Sequence, residues 1–245
     1  MDNALYVSLS RQMTLRRELD IIANNVANAD TTGFKVEGLI TNEEDGAPAQ
    51  TLEAPGWARF VLDSGVARNF SQGALHQTGN PLDLGIDGTG FFRIQTADGD
   101  RYTRDGRFTL SATGQLVTGA GDPVLDNGGS PITLDSSRGP VAIAENGSIT
   151  QGSNQVGQVG VFRFDDLSGL EKDGDNHFRN VTNLQPQAAA DARVRQGMLE
   201  ASNVNPIYEI THMIEVQRAY DAVSQMMNST ATLSSQSIQR LAAVS

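Results

Sequence analysis

The stretch ANNVANADTTGFK, Ala23–Lys35, stands between an apolar-periodic segment and a region rich in glycine turns. Its first half contains three asparagines: Asn24, Asn25 and Asn28. Asparagine tolerates the left-handed backbone with which helices end, and Gly33 permits a further bend. We therefore predict a helix that ends near Ala27 and a joint, residues 23–35, that turns the chain. The candidate joint residues are Asn24, Asn25, Asn28, Thr32, Gly33 and Phe34.

Before the joint, apolar side chains recur at alternating steps of four and three residues, which places them on one face of a helix. The apolar residues of this first seam are Leu5, Leu15, Leu19, Ile22 and Val26. Leu9 and Met13 widen the stripe, whereas the charged residues fall mostly outside it. The pattern predicts an amphipathic helix with one seam to bury.

The C-terminal segment predicts a second, longer helix. Asn205 can cap it, and Pro206 suits the first helical turn because its missing N–H costs nothing there. Neither glycine nor proline follows before Leu241, so the helix would run for roughly 36 residues, or about 54 Å. Its seam residues are Met213, Val216, Tyr220, Val223 and Met227. This length favours a coiled coil or a helical array.

The middle of the chain predicts an antiparallel β domain. Asp-Gly and Asn-Gly pairs alternate with short β-type runs such as Phe91–Ile94, as in a meander, sandwich or barrel. The acidic stretch from Ser168 to Asn176 predicts an exposed loop. The fold class is therefore α+β. Residues 1–35 and 199–245 form a helical inner domain for assembly, with paired, coiled-coil-like helices, and residues 36–198 form a β-rich outer domain that is sandwich- or barrel-like.

Composition excludes several functions. The 18 basic and 29 acidic residues give a net charge of -11, which disfavours nucleic acid and anionic membrane surfaces as partners. The absence of cysteine removes disulfides and thiolate chemistry. We expect no membrane insertion, since no stretch approaches the roughly 18 apolar residues of a span. The opening MDNALYVSLSRQ lacks the features of a cleaved secretory signal.

Candidate catalytic and metal sites are weak. The three histidines, His76, His177 and His212, form no metal-binding motif. The stretch Asp173–Asn176 lacks the remaining ligands of a calcium loop, and no serine lies in a nucleophile elbow. We predict no catalytic, cofactor-binding or metal site, and no enzyme activity.

Three segments resemble the bacterial flagellar rod and hook family. Ala23–Lys35 is similar to its N-terminal signature, ANN-(L/I/V)-AN-x-x-T-x-GFK, over all thirteen residues. Leu199–Met227 resembles its C-terminal signature, and TGNPLDLGIDGTGFFRI, followed by YTRDGRF, resembles its central β region. Within the family, the short chain and its opening look most like the proximal rod protein.

The resemblance implies a structural axial subunit of the basal-body rod, which transmits torque across the periplasm. It implies export by the flagellar type III apparatus without a cleaved signal peptide. The implied partners are copies of the chain, other rod and hook proteins and the export apparatus. A distal rod or hook-type subunit is the alternative within the family.

The seams themselves support an assembly role. Each large apolar side chain left in water forfeits about 1.5–3 kcal/mol, and two paired helices cannot cover both seams on all sides. Contacts between unlike patches of neighbouring copies propagate as a helical polymer. We also expect the terminal helices to fold only on incorporation. A β-rich adaptor that dimerises through its helices and a wall-degrading hydrolase are the alternatives from other classes.

Overall fold

The structure, a computed structural model, describes residues 2–44, 48–49, 56–57, 60–182 and 184–244. It is an α+β protein with two helices, α1 (Asp2–Ala27) and α2 (Pro206–Val244), and many antiparallel strands. The strands are β1 Glu37–Glu44, β2 Pro48–Ala49, β3 Gly56–Trp57, β4 Phe60–Arg68, β5 Leu75–Gln77, β6 Leu84–Asp87, β7 Phe91–Thr96, β8 Gly99–Thr103, β9 Thr109–Leu110, β10 Leu116–Val117, β11 Val141–Ile143, β12 Ser148–Gln151, β13 Asn154–Gln158, β14 Val161–Arg163, β15 Leu170–Lys172, β16 His177–Asn180, β17 Gln187–Ala188, β18 Arg193–Gln196 and β19 Met198–Glu200. A short 3-10 helix spans Ser136–Arg138.

The end of α1 and the beginning of α2 lie where the sequence predicts them. The α1 helix ends at Ala27. The α2 helix begins at Pro206, and the side-chain Oδ1 of Asn205 accepts hydrogen bonds from the backbone N–H groups of Ile207 and Tyr208, at 3.2 and 3.3 Å. The cap satisfies two of the amide groups that the first turn leaves without a helical partner. In the described part of the chain, neither helix combines the length and apolar character needed to cross a membrane.

The chain divides into two compact units. The helical unit comprises Met1–Ala27, Glu37–Asn69 and Asn205–Ser245, and the β unit comprises Asn28–Val36 and Phe70–Val204. These limits differ from those of the predicted domains at three places. The segment that contains β1 and β4 belongs to the helical unit, whereas most of the joint and residues 199–204 belong to the β unit.

In the helical unit, α1 and α2 run antiparallel and pack through their seams. Contacts join Asn25 to Glu209 near one end and Gln12 to Ser224 further along. The β1 and β4 strands form an antiparallel ribbon in the same unit, with a register shift after Ile40. The unit therefore combines the helix pair with a ribbon that the sequence assigned to the outer domain.

The β unit contains a six-stranded antiparallel sheet in the order β15-β16-β8-β7-β14-β17. The side chains of β7 alternate between two cores, as successive residues of a strand do. Phe92 and Ile94 lie in the larger core, which also contains Leu84 and Phe108. Phe91 lies in the smaller, mostly aromatic core with Tyr102. The unit thus buries both faces of its central strand.

The predicted exposed loop at 168–176 is wrong in part. Leu170–Lys172 forms β15 and pairs with β16, so that only the residues between the two strands make the turn. Leu170 is buried in the smaller core, which explains why this short acidic segment contains a strand. The turn uses left-handed backbone at three successive residues, Gly174, Asp175 and Asn176.

Candidate assembly surface and joint

The predicted seam residues contact one another inside the chain. Leu15, Ile22 and Val216 are buried together, and five others pack around them: Leu19, Val26, Met213, Tyr220 and Val223. Met227 is half-buried, and the side chain of Leu5 lies outside the described residues. The structure therefore brings the two seams together, while their predicted role between subunits stays a prediction.

A second apolar face on α1 is exposed. Tyr6, Leu9 and Met13 follow one another at steps of three and four residues, so they share one side of the helix. Tyr6 is 63% exposed and Met13 is 66% exposed. Leu9 and Met13 were predicted only as a widening of the seam. With Tyr6, they form an apolar row that stays exposed on α1.

The α2 helix also exposes apolar side chains. Ile207, Ile210 and Ile214 recur at steps of three and four, and Ile207 is 79% exposed. Further along, Met226 and Leu233 are exposed at a spacing of seven residues. These residues were not among the predicted seam residues, although they follow the same helical period. Scattered exposed apolar residues are ordinary, but aligned rows on long helices indicate an interaction surface.

Asn25 connects three elements of the helical unit. Its Nδ2 donates to the backbone carbonyl of Glu37 at 2.8 Å and to the Glu209 carboxylate at 3.1 Å. Its Oδ1 accepts from the Glu37 N–H at 3.0 Å. Asn25 is only 1% exposed. This one amide therefore ties the end of α1 to the starts of β1 and α2, and the Glu37 carboxylate accepts from Arg68 at 2.8 Å.

Three charged side chains meet inside the β unit. The Glu200 carboxylate accepts from the Lys35 ammonium at 2.5 Å and from the Arg104 guanidinium at 2.8 Å. Each of the three side chains is at most 3% exposed. Burial lowers the pKa of Lys35, and the adjacent Glu200 carboxylate opposes that shift. The cluster joins one residue from each of the three segments that carry the family resemblance.

The joint residues of the β unit are fixed by backbone contacts. The Gly33 N–H donates to the Glu200 carbonyl at 2.7 Å, and the Val36 N–H donates to Asn203 Oδ1 at 2.8 Å. Gly33 has a φ of +69°, and a Cβ there would lie 2.5 Å from the Arg104 carbonyl carbon. Only glycine fits this position.

The remaining joint residues have different roles. Phe34 is buried, and the Lys172 ammonium lies 4.3 Å from its ring centroid. The Thr32 carbonyl accepts from Asn176 Nδ2 at 2.7 Å, and Asn28 Oδ1 accepts from the Thr31 hydroxyl at 3.1 Å. Asn24 is exposed. Lys35, Glu200 and Arg104 were not among the candidate site residues.

The histidines do not form a common site. His212 Nε2 lies 3.3 Å from the Glu18 carboxylate in the helical unit, and His177 is buried in the β unit. Burial lowers the pKa of His177, with Asp122, Asp175 and Asp105 opposing the shift. Among the described residues, no group of three or more acidic or histidine side chains is placed to hold a metal ion.

Three family models match the chain in the order of the three segments. Residues 5–35 match the model described as "Flagella basal body rod protein". Residues 85–151 match "Flagellar hook protein FlgE/F/G D1 domain", and residues 195–240 match "Flagellar basal body rod FlgEFG protein C-terminal". All three descriptions define one class, the structural proteins of the flagellar rod and hook.

Full-length relatives narrow that class. The chain is 58% identical to the flagellar basal-body rod protein FlgF of Caulobacter vibrioides, over 98% of each chain. It is 38% identical to FlgF of Mesorhizobium japonicum, again over 98% of each chain. It is 33% identical to the rod protein FlgG of Bacillus subtilis, over 94% of this chain and 96% of that one. The chain belongs to the flagellar basal-body rod protein family, as a proximal-rod-like member.

Membership confirms the main functional predictions. The protein is a structural rod subunit of the flagellar basal body, in a family that is structural and not enzymatic. The N-terminal match ends at Lys35 and the C-terminal match includes Glu200. Both family segments therefore contribute to the buried charge cluster of the β unit.

Proposed function

We propose that the subunit polymerises through its terminal helices, and that the second apolar faces of α1 and α2 make the contacts between subunits. The observation that carries this proposal is the exposure of aligned apolar rows after the seams have packed together within the chain. Burying one such side chain against a neighbour contributes about 1.5–3 kcal/mol. Several of these contacts per subunit would favour association between neighbouring copies.

The positions of the rows favour an open polymer. Ile207, Ile210 and Ile214 lie at the start of α2, near the end of α1 that contains Asn25. Tyr6, Leu9 and Met13 lie in the first half of α1, further along the pair, because Gln12 contacts Ser224 near the middle of α2. Contacts between such unlike patches on neighbouring copies need not close on themselves, and contacts that do not close propagate as a helix.

The finer architecture belongs to the same proposal. The helix pair forms a coiled-coil-like inner domain, to which the predicted seam residues contribute, and the β unit forms a sandwich- or barrel-like outer domain. The partners are copies of this chain and the other rod and hook-family axial proteins. The polymer is the proximal part of the shaft that transmits torque across the periplasm.

We further propose that the flagellar export apparatus secretes the subunit without cleavage. Mass spectrometry of the subunit in isolated basal bodies tests this step. The opening segment MDNALYVSLSRQ should still be present in the subunit. Its loss from the mature subunit would contradict uncleaved export and would leave the assembly proposal standing.

Replacement of the gene by variants in the source cell tests the assembly role, with basal bodies imaged by electron microscopy. Deletion should leave the inner-membrane ring without the rod beyond it. The double variant Met13→Ser/Ile214→Ser should give the same defect, while the matched variant Arg16→Ser, a change at an exposed polar position of α1, should assemble normally. Complete rods in the double variant would contradict the proposed contacts.

A further inference from the structure

Glu200 receives hydrogen bonds from segments that lie far apart in the sequence. Its Oε1 accepts from Lys35 Nζ at 2.5 Å and from the Gly73 N–H at 2.9 Å, and its Oε2 accepts from Arg104 Nη1 at 2.8 Å. Its backbone carbonyl accepts from the Gly33 N–H at 2.7 Å. Glu200 lies near the C-terminal end of the β unit in the sequence. Its side chain and its backbone therefore both bind residues at the N-terminal end of that unit.

Lys35 and Arg104 each donate a second hydrogen bond, to a backbone carbonyl. Lys35 Nζ also donates to the Ser71 carbonyl at 2.7 Å. Arg104 Nη2 donates to the Gly88 carbonyl at 2.8 Å, and its guanidinium lies over the Phe91 ring. The cluster contains two buried cations and one carboxylate, so loss of the carboxylate would leave both cations without their shared partner. Breaking a buried charge network in this way is strongly destabilising.

We propose that Glu200 is the fastening residue that keeps residues 31–36 ordered on the β unit in the free subunit, without help from the terminal helices. All partners in the cluster belong to the β unit. The neighbouring backbone contacts do as well, since Asn203 Oδ1 accepts from the Val36 N–H and the Asn203 N–H donates to the Phe34 carbonyl. The ordered part of the joint is therefore complete within one unit.

This inference deepens the proposed function, on which it rests for its consequence. A subunit whose helices fold on incorporation needs a defined point at which its order ends. The Gly33–Glu200 bond holds together the two segments that lead to α1 and α2. The free subunit would then reach the rod with both segments already side by side.

Amide hydrogen exchange of the full-length protein tests the inference, at a concentration where sedimentation shows a monomer. The variant is Glu200→Gln. The matched control is Glu145→Gln, because Glu145 also pairs with two cations, Arg193 and Arg195, but is exposed. In the unmodified protein, the amides of Gly33 and Val36 should be protected even where the helices exchange.

Glu200→Gln should accelerate exchange at Gly33 and Val36 at least about tenfold more than at the amides of β7, whereas Glu145→Gln should change neither. Equal acceleration in the joint and in β7 would overturn the inference, because the residue would then act on the whole unit. Unprotected joint amides in the unmodified protein would overturn it as well.

Lys35→Met keeps the inference testable if Glu200→Gln fails to fold, because it leaves the Glu200–Arg104 pair in place. It should accelerate exchange at Gly33 and Val36 in preference to β7, and unchanged joint amides would overturn the inference. Full protection of both helices in the monomer would contradict folding on incorporation. That result would leave the comparison between Glu200→Gln and Glu145→Gln unaffected.

Discussion

The two units of this rod subunit use apolar side chains in opposite ways. In the β unit, Phe92 and Leu84 are completely buried within the unit's own core. In the helical unit, Tyr6 and Ile207 are mostly exposed although the helices are paired. A self-contained core explains the stability of a subunit, whereas an incomplete one explains why subunits associate. Under the proposed function, the β unit accounts for most of the folding of the subunit and the helical unit accounts for most of its assembly.

Within the thirteen residues of the joint, some side chains bind the helical unit and others bind the β unit. Asn25 is satisfied by the helical unit, through Glu37 and Glu209. Ten residues later, Lys35 is satisfied by the β unit, through Glu200 and Ser71. A polar stretch that resembles a simple linker thus supplies a buried polar group to each unit. Substitutions in each unit test this difference between the two units.

The largest expected effect on stability is that of Phe92→Ala. It should lower the free energy of unfolding of the β unit by about 3–5 kcal/mol, because it removes a buried aromatic ring and leaves a cavity. Ile207→Ala is the matched exposed substitution and should change the stability of the monomer by less than about 0.5 kcal/mol. Urea denaturation followed by circular dichroism measures both. Similar losses in the two variants would remove the contrast between the units.

Gly33→Ala should have a smaller but still clear effect on stability. The new Cβ would lie 2.5 Å from the backbone of Arg104, at a φ of +69°, so we expect a loss of about 1–3 kcal/mol from backbone strain. Gly38→Ala is the control, since its Cβ would have no neighbour within 4 Å. Thermal unfolding compares the two variants. A Gly33→Ala protein as stable as Gly38→Ala would contradict the close packing of the joint.

Asn25→Ala should destabilise the helical unit of the assembled subunit by about 1–3 kcal/mol, because the Glu37 backbone and the buried Glu209 carboxylate lose hydrogen-bond partners. The loss should appear in the unfolding of helix and not in that of the β core. Far-ultraviolet circular dichroism of assembled samples follows the helices, and amide hydrogen exchange of β7 in the same samples follows the β unit. Equal destabilisation of the helices and of the β unit would contradict a role of Asn25 in the helical unit alone.

The smallest predicted effect is a dependence on pH. Burial lowers the pKa of His177 in the folded protein, so the unfolded chain binds a proton first as the pH falls below its ordinary value near 6.5. The stabilisation from a neutral His177 is complete above that value and declines below it, by at most about 1.4 kcal/mol per pH unit. Urea titrations at pH 7 and pH 5 should therefore show a smaller loss for His177→Gln than for the unmodified protein. An equal loss of stability in the two proteins would contradict the role of His177 in the pH dependence.

Local patterns were sufficient to predict the helices. The cap at Asn205, the proline at 206 and the polar run after Ala27 act on neighbouring backbone, so the sequence reveals them directly. The seam residues Leu15, Ile22 and Val216 could be predicted for the same reason, because a helical period shows which side chains share a face. The exposed rows follow the same period, but only the packed structure distinguishes the covered face from the uncovered one.

The buried charge cluster could not be predicted in this way. Lys35, Arg104 and Glu200 lie in three segments separated by long stretches of sequence, and each residue type is ordinarily exposed. Only the folded β unit brings them together. The strand at Leu170–Lys172 was missed for a related reason, since its acidic surroundings indicated a loop while the burial of Leu170 depends on a distant aromatic core.

Sedimentation velocity of the subunit over a wide range of concentrations, with circular dichroism of the same samples, tests whether the exposed helical rows drive assembly. We expect open-ended assemblies that grow with concentration, a parallel rise in helical content, and the loss of both in Met13→Ser/Ile214→Ser while the β unit melts unchanged. A closed dimer or a monomer at every concentration, or assembly that persists in the double variant, would contradict assembly through these rows.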